Sequence, residues 1–312
     1  MITDSSVDNF PIKYKTGDLF SSEERECKLY VVNKIDTPLI EKFSLELSPQ
    51  DKRSLTYFGL AGSSLTDLIH WKDYIKRAVS IENCTNVYHQ QIRTLFSDKQ
   101  LDSFAFSKDI SILLGDIDDV LDSTHKNYLK NNDIVNSFLP FTLINLDYYG
   151  TVIHTSDFGI MKRVELLKNL FKIQYEKNKK IQYLLLLTIF HSGDDRIPGT
   201  EDSQLVDKIK HYGWDKYKEI SEKIIKSNKR IPILSLAVPL FIAAAASDNH
   251  TRLNVLKKIT YRDSKYYMLH FIFKLEGVHE QAPDILKKNI FKEIELEEVK
   301  KQGDKIIINN YF

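Results

Sequence analysis

Three short stretches of this chain combine residue types that can hold a small polar ligand. Gly59-Leu60-Ala61-Gly62-Ser63-Ser64 is rich in small residues. Glycine lets the backbone approach a ligand closely, and a helix starting just beyond would offer unpaired N–H groups. Glu82 follows Gly62 by twenty residues, an interval at which an acidic side chain accepts hydrogen bonds from the hydroxyls of a ribose. The same residue also reads as a solvated charge at a strand end. Asn145-Leu146-Asp147-Tyr148-Tyr149-Gly150 ends an apolar run with a carboxylate, two aromatic rings and a turn-forming glycine. Two such tyrosines also read as packing aromatics.

These residues need a scaffold, and the apolar pattern supplies one. From Thr56 onward, apolar runs of five to eight residues alternate with longer amphipathic segments, the pattern of a parallel sheet covered by helices on both faces. Strands are expected over 56–62, 78–83, 110–118, 141–150 and 181–190. A helix is expected through SSLTDLIHWKDYIKR, capped by Ser63 or Ser64. Others carry Val87, Gln91 and Leu95, occupy the charged segment between the third and fourth strands, and span 161–180 and parts of 204–249. The near-continuous apolarity of 181–190 suits a strand buried on both faces. Residues 257–264 and 265–277 then read as an antiparallel pair around a polar turn. The expected fold class is α/β, a doubly wound, mostly parallel seven-stranded sheet with a C-terminal antiparallel hairpin. In such sheets a ligand lies beyond the carboxyl ends of the strands, so the loops after the first, second and fourth strands are the ones that matter.

A sheet finished by an antiparallel hairpin, with a glycine-containing first turn, resembles the Rossmann-like class of S-adenosylmethionine-dependent methyltransferases. The resemblance implies S-adenosylmethionine as cofactor, bound by Gly59, Gly62 and Glu82, with Asp116 of LLGDIDDVL contacting the adenine amino group and Asp118 and Asp119 as alternatives. The run Asp147-Tyr148-Tyr149-Gly150 is similar to the D-P-F-G of tRNA guanine-N2 methyltransferases. An exocyclic base amine is a poor nucleophile, its lone pair delocalised into the ring. The resemblance gives Asp147 and the carbonyl of Tyr148 as acceptors of its two N–H groups and Tyr149 as the stacking ring. NAD is the runner-up cofactor, because only G-x-x-G is present where dinucleotide binding expects G-x-G-x-x-G. The fuller glycine pattern is absent and Tyr148 stands where the family has proline, so a second reading stays open: a methyltransferase fold kept as a cofactor sensor or scaffold subunit. His154 and His191 could face the pocket as acid–base groups or be structural.

Bulk properties bound the partners. Forty-four Lys and Arg against 43 Asp and Glu leave a net charge of +1, so no overall field draws the chain to nucleic acid. Basic character is local. Residues 162–180 hold seven Lys or Arg against Glu165 and Glu176, and 208–230 hold eight against three acids, with Tyr212, Trp214 and Tyr217 among them. Such faces can meet phosphates and bases or be solvated helices. Nucleic acid is therefore the expected acceptor class, with protein or small-molecule acceptors as the alternatives and a protein partner as a candidate source of specificity. Cys27 and Cys84 match no disulfide or zinc spacing, and the N-terminus lacks a signal-peptide pattern, which fits a cytoplasmic protein. The apolar run 231–246 is shorter than a bilayer requires and contains Pro232 and Pro239, so a buried helix is expected and no membrane. The division expected is a 1–54 N-terminal extension, a 55–276 methyltransferase-like domain and a 277–312 C-terminal extension.

Overall fold

The computed structural model describes residues 22–62, 65–101, 109–148, 162–191, 230–263, 266–280, 296–302 and 305–310. Five strands, β1 (Leu55–Gly59), β2 (Ile75–Glu82), β3 (Ile110–Leu114), β4 (Leu143–Tyr148) and β5 (Gln182–His191), pair in parallel in the order β3-β2-β1-β4-β5. The hairpin of β6 (Thr251–Asp263) and β7 (Tyr266–Gly277) follows, with β7 antiparallel to β5. The switch point therefore falls between β1 and β4, whose neighbours run outward in opposite directions.

The sheet has nine strands rather than seven. β8 (Glu297–Gln302) runs parallel to β6, and β9 (Lys305–Asn310) pairs antiparallel with β8 at the far edge. Only Val299 among these residues is fully buried, so EEVKKQ and KIIINN carry little of the alternation by which a strand is recognised.

Both faces are covered. One carries a π-helical turn (Val32–Asp36), α2 (Thr37–Leu47), α3 (Thr66–Trp71) and α4 (Thr85–Ser97), packed on Leu55, Tyr57, Leu143, Leu184 and Leu186, and α1 (Ser22–Val31), packed through Cys27 and Val31 on Ile259, Tyr261, Ile272 and Val299. The other carries α5 (Ile117–Leu121), α6 (Asp133–Phe138), α7 (Lys162–Lys177) and α8 (Arg230–Ser247), packed on Phe58, Ile144, Leu146, Leu185 and Leu187. The apolar α8 is buried in this layer from Leu234 to Ala246 apart from a half-buried Ala244, and among the described residues no helix is long and apolar enough to cross a membrane.

Three boundaries differ from expectation. The helix after β1 stops at Trp71, because Leu55 donates its N–H to the Tyr74 carbonyl and Arg53 Nε donates to the Ile75 carbonyl, drawing 75–77 into β2. Trp71, Tyr74 and Ile75 carry helical spacing, but only Trp71 is in the helix; Tyr74 and Ile75 are buried in the turn and the strand start. The residue before α3 is Leu65, buried and left-handed at φ 52° with no side-chain cap; Ser63 and Ser64 lie outside the described residues. The third strand ends at Leu114, and Asp116 caps α5 by accepting from the Asp118 N–H at 2.8 Å.

Candidate functional site

The strand register gathers the expected ligand residues at one edge. Gly59 is level with Ser80 on β2 and Asn145 on β4, and Glu82 is level with Leu114 on β3. Gly59, Glu82, Asp116 and Asp147 thus stand at or just beyond the carboxyl ends of β1 to β4.

Gly59 has φ 151°, and a Cβ there would lie 1.9 Å from the Asn145 carbonyl oxygen. No side chain fits where β1 and β4 press together. Gly62 has φ 73°, and a Cβ would meet nothing within 4 Å. Its left-handed backbone faces open space, and its carbonyl accepts from buried Gln91 Nε2 at 2.8 Å, which ties the turn to α4. Glu82 is half-buried and accepts from the Cys84 N–H at 2.8 Å. Burial raises its carboxyl above the ordinary range, opposed by the Cys84 and Asn83 N–H groups. Asp116 is exposed and uses one oxygen as a helix cap. Asp118 pairs with Arg163 Nε at 3.2 Å and lies against the Tyr148 hydroxyl. Asp119 lies 3.7 Å from His125 Nε2 at the surface.

Alternation along β4 separates the motif. Tyr148 points into the α5–α8 layer, fully buried, with the Arg163 guanidinium 4.3 Å above its ring. Burial, then the Asp118 carboxylate, pushes its hydroxyl far above the usual range. Asp147 points to the opposite face, where its Oδ2 accepts from Lys28 Nζ of α1 at 2.6 Å. Tyr149, Gly150 and His154 lie outside the described residues, and His191 is the last residue of β5.

On that face the structure adds a polar cluster that sequence reasoning did not assemble. A cavity of about 20 Å³, room for about one water, is lined by Lys28, Asp36, Asp67, Asn145, Asp147, Thr188, Tyr261 and His270 among others. Asn145 Nδ2 donates to Asp67 Oδ2 at 2.7 Å, and His270 links Asp36 through Nε2 at 2.9 Å to Thr188 through Nδ1 at 2.8 Å. Burial pushes the Asp67 carboxyl up to about 7; Lys28 opposes the shift, and the carboxylates of Asp147 and Asp36 add to it. The Asp147 carboxylate holds the Lys28 ammonium well above its ordinary value. The available signal was a lone Thr in LLLLTIF and a lone His in YYMLHFIFKL, polar interruptions in strands otherwise apolar. Lys28, Asp36 and Asp67 carried no such mark.

The basic segment 162–180 is divided by the fold. Arg163, in the first turn of α7, is committed to Asp118 and Tyr148, and Lys168 pairs with Asp248 at 2.8 Å. Lys177, Lys179 and Lys180 are exposed next to the amino end of β5, about 30 Å along that strand from the carboxyl edge at 3.3 Å per residue. The second basic segment, 208–229, lies outside the described residues.

No family model matches the chain, and no curated protein does. Among solved structures, the chain is similar to Trm1 from Pyrococcus horikoshii in complex with S-adenosyl-L-methionine, at 12% identity and a TM-score of 0.46, over 93% of this chain and 64% of that one. It is also similar to the magnesium protoporphyrin IX methyltransferase of Synechocystis with bound SAH, at 9% identity and 0.39 over 84% and 90%. An rRNA methylase from Streptococcus thermophilus matches at 9% and 0.37 over 78% and 96%.

Proposed function

We propose that this chain binds S-adenosylmethionine at the carboxyl edge of β1–β4 and transfers its methyl group to an exocyclic amine of a nucleic-acid base. The observation that carries the reading is the shared register: a side-chain-free turn on β1, an acid ending β2, an acid after β3 and a carboxylate ending β4, all at the switch point of a doubly wound sheet.

The residues present fit that cofactor. Gly62 leaves open space over a left-handed backbone, where a ligand can come close. Glu82 keeps a half-buried carboxylate for ribose hydroxyls, and Asp116 has an oxygen beyond the one that caps α5. When bound, S-adenosylmethionine supplies an electrophilic methyl on a sulfonium, which departs as a neutral thioether.

The chain's own contribution is positioning. Asp147 would accept one N–H of the substrate amine, and the Tyr148 carbonyl would accept the other, turning the nitrogen lone pair toward the methyl. The Asp147 carboxylate then stands where the proton shed by the methylated amine can be taken up. Tyr148 serves through its backbone, since its ring is locked beneath Arg163.

The test is transfer of labelled methyl from S-adenosylmethionine to total RNA and DNA, with digestion to nucleosides to find the modified base. Wild type should yield an N-methylated nucleoside. Asp147→Ala should lose at least about 100-fold in turnover, the scale of lost positioning, while keeping its affinity for S-adenosylhomocysteine. Label recovered only in protein or small molecules would overturn the nucleic-acid acceptor.

A further inference from the structure

We infer that β9 is a dimerisation edge, on which a second copy of this chain lays its own β9 antiparallel, so that two nine-stranded sheets join into one. The inference is independent of the methyl-transfer reading.

β9 ends the strand order, so alternate residues direct their N–H and C=O groups outward. Among the described residues nothing bonds to them. Soluble proteins ordinarily blunt such an edge with a proline, a bulge or a charge in mid-strand. Lys-Ile-Ile-Ile-Asn-Asn has none of these: its ladder with β8 runs unbroken from Gln302↔Lys305 to Glu297↔Asn310, and its one charge stands at the first position. Ile308 is 43% exposed, and Ile306 and Ile307 are half-buried. An apolar, unblunted edge is a template for another strand.

The β8–β9 hairpin is also thinly supported. β8 meets β6 through Glu297, Glu298 and Val299, and of the hairpin's residues Val299 alone is fully buried. Beyond that contact, Lys301 pairs with Glu26 of α1 at 3.2 Å, and Ile306 packs against the cluster of Cys27, Val31 and Val299. A two-stranded ribbon with so small a core gains stability from a further strand.

The sequence of β9 selects its own copy as the occupant. Ile306 and Ile308 lie on the face that α1 covers, and Lys305, Ile307 and Asn309 lie on the other. Residues directly opposite in an antiparallel pair share a face, so two identical strands pair about a residue and not between two. Centred on Ile307, Ile307 meets its own copy, Ile306 meets Ile308 of the second chain, and Lys305 meets Asn309 of the second chain. Every isoleucine then faces isoleucine, and no like charges are opposed. Centred on Ile308, Ile306 and Ile307 would face Asn310 and Asn309 instead. The twofold pairing consumes both β9 edges, so the assembly closes at two copies.

Sedimentation equilibrium of the full chain tests this. A six-residue strand pair is at the small end of specific interfaces, so wild type should pass from one chain to two across about 1–100 µM. Ile307→Glu sets a carboxylate opposite Lys300 within the hairpin, which favours the fold, and opposite its own copy across the twofold axis, which opposes pairing. It should weaken dimerisation at least about 10-fold. Ile307→Cys brings two thiols within disulfide reach, so mild oxidation should link the chains in pairs. Ile308→Cys, offset from its own copy, should link far more slowly, and wild type, with Cys27 buried and Cys84 half-buried, should not link. A wild type that remains a single chain throughout that range, a dimer equally tight in Ile307→Glu, or Ile307→Cys linking no faster than Ile308→Cys would overturn the proposal.

Discussion

The imidazole of His270 joins Asp36 and Thr188 in one buried chain, at 2.9 Å and 2.8 Å, with all three side chains almost fully excluded from solvent. Asp36 comes from the π-helical turn after α1, Thr188 from β5 and His270 from β7. The chain therefore pins the N-terminal helices to the antiparallel half of the sheet, above the cavity that holds Lys28 and Asp147.

His270→Ala should destabilise the fold by roughly 3–5 kcal/mol, because the Asp36 carboxylate at 2% exposure loses its partner. Asp36→Leu with His270→Phe removes both polar groups and should recover part of that loss. Urea denaturation of Asp36→Leu, His270→Phe and their double gives the coupling; additive losses would show that the pair does not act as a unit.

Gly59→Ala should cost at least about 1–3 kcal/mol or prevent folding, since the new methyl would lie 1.9 Å from the Asn145 carbonyl oxygen in a backbone at φ 151°. Gly62→Ala meets no atom, so its loss is confined to the left-handed backbone, about 1 kcal/mol. Thermal melts of the two variants should therefore separate clearly, with Gly59→Ala the weaker.

Asp67 makes the pH dependence specific. Its folded value of about 7 lies above the unfolded value near 3.8, so the folded state holds a proton that the unfolded chain releases. Its contribution is present at low pH and is lost as pH rises from about 4 to 7, then stays level. Lys28, Asp147 and Asp36 are the charges it faces. The stability of wild type minus that of Asp67→Asn should fall across this window when urea midpoints are compared from pH 4.5 to 8. A flat difference would place the Asp67 titration elsewhere.

The parallel half of the sheet was legible because its strands are short apolar runs bounded by polar loops, and β5 reads as buried on both faces from LLLL alone. The placement of Gly59, Glu82 and Asp147 at the carboxyl edge was legible for the same reason: they sit where strands end, and their spacing is local. The amphipathic reading held to Trp71 and failed at Tyr74 and Ile75, which serve a turn and a strand start, and at β8 and β9, which bury a single valine. The cavity was illegible because its pairs join residues 78, 119 and 234 positions apart. Contacts of that separation leave no periodic trace, only the isolated Thr188 and His270 inside apolar strands.

The most direct test of the central claim is calorimetric titration of the intact protein with S-adenosylmethionine and S-adenosylhomocysteine, with NAD as competitor and Glu82→Ala as control. The account predicts micromolar binding of both sulfur nucleosides, undisturbed by NAD and weakened about 10- to 100-fold in Glu82→Ala, the scale of lost hydrogen bonds to a charged group. Wild-type protein that binds neither nucleoside would contradict it.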